Sequence, residues 1–164
     1  ELRDVENLEV EAAKVLAEAM VCTTCLKRLS LEGLNFRDES VCAVFQEALK
    51  RNRSLEALDL EFPNDATSLT MFLRTLQNHP NLRSLTLSCP SMSEQVMDVL
   101  REWLGRKDCG LQDLKICHAS HLPTFSRSTS GKVFESRALK RLTLHDTNLS
   151  SNDLEGLCNA FPNL

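Results

Sequence analysis

One frame of leucines, LxxLxL, returns five times in a chain of 164 residues. It reads LKRLSL at Leu26, Leu29 and Leu31, then LEALDL at Leu55, Leu58 and Leu60, and LRSLTL at Leu82, Leu85 and Leu87. LQDLKI follows at Leu111, Leu114 and Ile116, and LKRLTL at Leu139, Leu142 and Leu144. The first leucines stand 29, 27, 29 and 28 residues apart. Self-similarity at a fixed period of this length excludes most globular topologies and implies a stacked array, each unit burying its apolar side against its neighbours.

The frame divides residues 1–164, read as a single domain, into a partial repeat 1–25, repeats 26–54, 55–81, 82–110, 111–138 and 139–163, and the start of another at Leu164. Each LxxLxL reads as a short strand. Apolar residues at helical spacing follow most of them. Residues 1–25 match the rear of a repeat, with Ala12, Val15, Leu16, Ala19 and Met20 as the apolar positions. Repeat one carries Val41, Val44, Phe45, Ala48 and Leu49 behind Asp38 or Ser40 as cap. Repeat two carries Leu69, Phe72, Leu73 and Leu76 and must stop before Pro80. In repeat three Ser91 with Glu94 has capping-box spacing, Val96, Val99, Leu100, Trp103 and Leu104 form the stripe, and Gly105 suits the stop. Trp103 is expected in the core. Repeat four departs from the pattern: PTFSRSTSGKVFESR reads as an irregular segment, with a short helical turn near Val133 and Phe134. Repeat five has Ser150 and Asp153 to cap a helix bearing Leu154, Leu157 and Cys158.

Strand side chains alternate, so the fourth and sixth places of the frame point one way and the third, fifth and seventh the other. Strands stack about 4.8 Å apart and helices need about 10 Å, so a strand layer joined to a helix layer must curve with the strands inside. The frame and the helix-containing repeats of 27–29 residues resemble the leucine-rich repeat, in particular its ribonuclease-inhibitor-like subfamily. That subfamily includes the repeat regions of intracellular NOD-like receptors and of Ran GTPase-activating proteins. The resemblance implies an α/β fold, a right-handed solenoid or horseshoe with a parallel sheet on the concave face and helices on the convex face. One departure stands out: Leu34, Pro63, Pro90, Ala119 and Thr147 fill the ninth place, usually Asn or Cys, while Asn35, Asn64 and Asn148 fill the tenth.

Solenoids of this kind bind partners on the concave face. The rows there supply the expected protein-binding residues: Arg28, Asp113 and Arg141 from the third place, Ser30, Asp59, Thr86, Lys115 and Thr143 from the fifth, and Glu32, Glu61 and His145 from the seventh. Phe62 and His118 are expected to extend the surface from the loops. Glu32, Asp59 and Glu61 lie on neighbouring strands, where like charges repel and a basic partner would relieve them. Screening by Lys27, Arg28 and solvent is the plainer account. Five strands of five residues project only about 400 Å², against about 800 Å² per partner in a standard interface. The working surface is therefore expected to continue into further repeats.

Sharper chemistry finds less support. Cys22-Thr-Thr-Cys25 has redox or half-zinc spacing, yet no second pair follows. Cys117, His118 and His121, with Cys89 and His145 nearby, offer sulfur and nitrogen ligands, and Cys117 beside His145 invites a thiol–imidazole dyad. The sequence identifies no orienting third group for either. There is no phosphate loop and no paired-carboxylate motif. No catalytic, cofactor-binding or metal-ligating residue is assigned, and no cofactor.

Net charge of −4 and scattered Lys and Arg give no nucleic-acid footprint. No apolar run suggests a membrane span or a cleaved signal. Seven cysteines without framework spacing, Cys42 and Cys158 among apolar helical residues, suit a reducing compartment, and the location is expected to be cytoplasmic. Two triplets, Asn52-Arg53-Ser54 and Asn148-Leu149-Ser150, would accept glycans in a secreted protein. The expectation is a non-enzymatic protein-interaction module from a larger intracellular array. The resemblance suggests an innate-immune sensor, or a substrate-recruiting arm of a ubiquitin ligase. The alternatives are a GTPase-activating protein of the Ran type and a structural segment that self-associates through uncapped ends.

Overall fold

The protein is described from a computed structural model over residues 10–31, 38–62, 66–90, 92–120, 122–123 and 135–164. Ten elements follow in order: α1 (Val10–Cys22), β1 (Arg28–Leu31), α2 (Glu39–Arg51), β2 (Ala57–Glu61), α3 (Ala66–Leu76), β3 (Ser84–Ser88), α4 (Glu94–Leu104), β4 (Asp113–Cys117), β5 (Arg141–His145) and α5 (Ser151–Ala160). The strands form one parallel sheet in sequence order, β1-β2-β3-β4-β5. Glu32, Asn35 and Asn64, His121, and the Ser-rich stretch with Val133 and Phe134 lie outside the described residues.

Register is uniform. Leu29, Leu58, Leu85, Leu114 and Leu142 are successive partners across the sheet, as are Leu31, Leu60, Leu87, Ile116 and Leu144. These two files face the helices and join one apolar core with Phe45, Phe72, Trp103 and Leu100. Leu142 and Leu144 are only half-buried, because β5 is the last strand of the sheet.

A second device fixes the register ahead of each strand. The carbonyl at the second place of one frame accepts two backbone N–H groups of the next. Lys27 O takes those of Glu56 and Ala57, Glu56 O those of Arg83 and Ser84, Arg83 O those of Gln112 and Asp113, and Gln112 O those of Lys140 and Arg141. Side chains add locks between repeats. Asn81 donates to the Arg53 carbonyl at 2.6 Å and Asn163 to the Arg137 carbonyl at 3.3 Å, each Asn within a Pro-Asn-Leu or equivalent lead-in to a frame.

Capping follows the sequence in part. Asp38 caps α2, accepting from the N–H groups of Ser40 and Val41. Ser150 and Asp153 form a reciprocal capping box on α5. The cap of α4 is Ser93, whose Oγ accepts from Val96 N–H, and not Ser91. A serine two places closer satisfies the same orphan donors once the helix starts at Glu94. Gly105 does end α4, with right-handed backbone, and Trp103 is buried.

The outermost helices correct two stripes. In α1 the buried residues are Ala13, Ala17 and Met20, while Val15 is 69% exposed. In α5 they are Gly156, Leu157 and Ala160, leaving Leu154 and Cys158 exposed. A helix turned through one residue rotates by about 100°, so a stripe read one place off lands largely outside the core. Among the described residues no helix is long and apolar enough to cross a membrane.

Candidate functional site

Parallel sheets are almost always covered on both faces. Here the helices cover one face, and the side chains of the other stand in polar rows. The third-place row runs Arg28, Ala57, Ser84, Asp113, Arg141 and the fifth-place row Ser30, Asp59, Thr86, Lys115, Thr143. The seventh-place row runs Glu61, Ser88, Cys117, His145.

Most of the expected binding residues are accessible. Arg28, Lys115, Arg141, Thr143 and His145 are exposed, and Asp59, Glu61, Thr86 and Asp113 half-buried. Asp113 and Arg141, facing each other on β4 and β5, form an ion pair at 3.3 Å. Asp59 faces Ser30 and Thr86, and Glu61 faces Ser88 on its β3 side. Asp59 and Glu61 stand two places apart on β2, and Glu32, the third acid of the expected patch, lies outside the described residues.

Two expected residues are not on the accessible surface. Ser30, the smallest side chain of its row, is 4% exposed, and its hydroxyl has no hydrogen-bond partner among the described residues. Phe62 is 1% exposed and packs edge-on against Phe72 with ring centroids 5.3 Å apart. It is the eighth residue of its frame, and continued alternation sends an even place inward. Cys89, the eighth residue of the next frame, is buried likewise.

The following two repeats break that alternation. Their eighth residues, His118 and Asp146, have φ of 58° and 51° and are exposed. A left-handed residue costs an L-amino acid about 1–2 kcal/mol. It turns the chain by one step, so that Ala119, the ninth residue, takes the buried place instead. Polar residues at the tenth place then tie the loops together. Ser120 donates from its N–H at 3.1 Å and its Oγ at 2.7 Å to the Pro90 carbonyl, and Asn148 Nδ2 donates to the Ser120 carbonyl at 3.3 Å.

The turn at Asp146 has a further effect on the site. His118 Nδ1 lies 3.3 Å and His145 Nδ1 3.1 Å from the same Asp146 oxygen, Oδ2, and the two rings meet edge to face at 5.8 Å. Cys117 and His145 are in register as expected. However, the thiol is buried and the imidazole turns to the carboxylate. Asp146 is the orienting group that a reading of the sequence does not supply.

No protein-family model matches the chain. Among curated proteins it is similar to mouse NACHT, LRR and PYD domains-containing protein 14, at 25% identity over 186 residues covering 94% of this chain. The chain spans 19% of that protein's length. Among solved structures it is similar to the tropomodulin C-terminal domain of Caenorhabditis elegans, with a TM-score of 0.58 and 15% identity over 95% of this chain and 93% of that one. A structure of leiomodin-1 actin-binding site 2 gives 0.55 and 14% over 98% of this chain and 76% of that one. Strand order and register define an α/β solenoid with a parallel five-stranded sheet, and these likenesses are consistent with a fold like that of leucine-rich repeats.

Proposed function

We propose that the chain is a protein-interaction segment of a larger leucine-rich repeat protein, of the ribonuclease-inhibitor-like kind, holding a protein ligand on the free face of its sheet without catalysing a reaction. The observation that carries this reading is the face of the sheet that no described helix covers. A parallel sheet with helices on one side only, and with charged and hydroxyl side chains in register on the other, offers a ready-made surface for a partner. Asp59 and Glu61 favour a basic contact on β2, whereas Lys115 favours an acidic one farther along. Charge of this kind selects and orients partners more than it tightens them. An innate-immune sensor is the context that the resemblance to NOD-like receptor repeats suggests, and a cytoplasmic location goes with it.

Photo-crosslinkers at Thr86 and Thr143, compared with one at Met71 on the outer side of α3, test the reading. Ligand captured from a cell extract through the sheet positions, and lost when Asp59 and Glu61 are both changed to Lys, supports it. Ligand captured through Met71 alone overturns it. Purified actin and a Ran-type GTPase are the first two proteins to offer; acceleration of phosphate release from the latter would show an enzyme instead.

A further inference from the structure

His118, His145 and Asp146 come from the ends of two adjacent strands, and their ligand atoms all lie within 4.8 Å of one another. We propose that these three side chains bind one divalent transition-metal ion of the zinc or nickel class. A tetrahedral ion held at about 2.0–2.1 Å by nitrogen and oxygen has ligands about 3.3 Å apart. The two histidine–aspartate separations, 3.1 and 3.3 Å, already match that edge. Only the edge between the imidazoles has to close, and all three side chains are exposed and able to turn.

The backbone supports the same reading. His118 and Asp146 are the only non-glycine residues with positive φ among those described. Strand alternation would send Asp146 to the opposite side from His145; the left-handed turn returns it. Strained backbone of this kind persists where the surroundings enforce it, and it clusters at ligand sites. Here both strained residues are donors of the cluster.

The donor set selects the ion. Imidazole with carboxylate suits zinc, nickel and copper, whereas calcium and magnesium take oxygen ligands. The single carboxylate opposes the ion's charge, and Cys117, the neighbour of His145 in its row, adds no cation. Three protein ligands leave at least one coordination position facing solvent, at the edge of the free face of the sheet. A donor atom from outside the chain can fill it.

The test is a titration of the chain with nickel chloride, followed by residue-resolved amide NMR so that binding at the cysteines is seen separately. The expected result is paramagnetic broadening that begins at residues 117–119 and 144–147. Outer-shell changes alone cost about 10–100-fold in metal affinity, so His118→Ala and Asp146→Asn should each weaken binding by at least about tenfold. Met71→Ala, on the outer side of α3, should leave it unchanged. The same spectra report whether each variant is folded, and His118→Gln serves where His118→Ala is not. No broadening at these residues, or broadening that survives both ligand substitutions in folded protein, overturns the proposal.

Discussion

Asn52 Nδ2 donates to the carbonyl oxygen of Met20 at 2.6 Å, across 32 residues of sequence. Its Oδ1 accepts from the N–H groups of Ser54 at 2.9 Å and Leu55 at 2.8 Å, so one buried side chain ties the end of α1 to the second frame, while its own backbone N–H closes α2 on the Ala48 carbonyl. Replacing Asn52 with Ala strands donors and acceptors that water cannot reach, at about 1–3 kcal/mol each. The expected loss is about 2–4 kcal/mol, measured as a shift of the urea midpoint at constant slope. The same geometry means that the folded chain will not be glycosylated at Asn52, whatever the compartment.

Phe62 separates packing from binding. Phe62→Ala removes a fully buried ring from the contact with Phe72 and should cost about 3–5 kcal/mol. Lys115→Ala and Thr143→Ala, on the free face, should stay within about 0.5 kcal/mol of the parent. Asp113→Ala breaks an exposed ion pair and should cost less than about 1 kcal/mol. Chemical denaturation of the four variants side by side checks this order; a mild effect at Phe62 would contradict its place in the core.

The cysteines should divide into three classes under alkylation. Cys22, Cys25 and Cys158 are exposed and should label first. Burial pushes the Cys109 thiol up, with the nearby Asp108 acting in the same direction and the Leu111 backbone and Arg106 opposing it. Less thiolate is then present, so Cys109 should label slowly. Cys42, Cys89 and Cys117 are buried and should label only on unfolding. Peptide mapping after a short pulse of iodoacetamide gives the order. Early modification of Cys117 would revive the thiol–imidazole reading.

Acid should weaken the fold partly through His79. Burial holds its imidazole below the ordinary range, with the Arg53 guanidinium adding to the effect and the Asn52 backbone opposing it. The unfolded chain, titrating near pH 6.5, therefore takes up a proton where the folded chain resists one. That contribution is fully present above about pH 6.5 and is lost as the pH falls toward the lower folded value. Thermal melts of the parent and of His79→Gln should show the parent losing more stability between about pH 7 and pH 5. Parallel curves would rule His79 out.

The two leucine files were legible because strand parity and a fixed period decide them together, and the five frames agree. Helix stripes at α2, α3 and α4 were legible for a similar reason, each lying between neighbours that bury one defined side. At α1 and α5 the apolar residues spread over more than one face, and the sequence does not say which side is covered. Phe62 could have been placed inside by extending the alternation two places. His118 could not, since neither glycine nor asparagine marks the left-handed turn that takes it out. Asp146 was hidden for the same reason: it follows His145 directly, and only its own backbone angle brings the two together. The polar rows were readable as a surface, but the companion of each charge depended on register at the level of single residues.

The contrast at the eighth place of the frame divides the last four strands into unlike pairs. Behind β2 and β3 the side chains of Phe62 and Cys89 turn inward and are buried. Behind β4 and β5 the exits open outward into imidazole and carboxylate. A molecule lying along the mouths of these four strands meets the imidazole and carboxylate of the second pair at one end, which gives the ribbon a direction that its repeating leucines conceal.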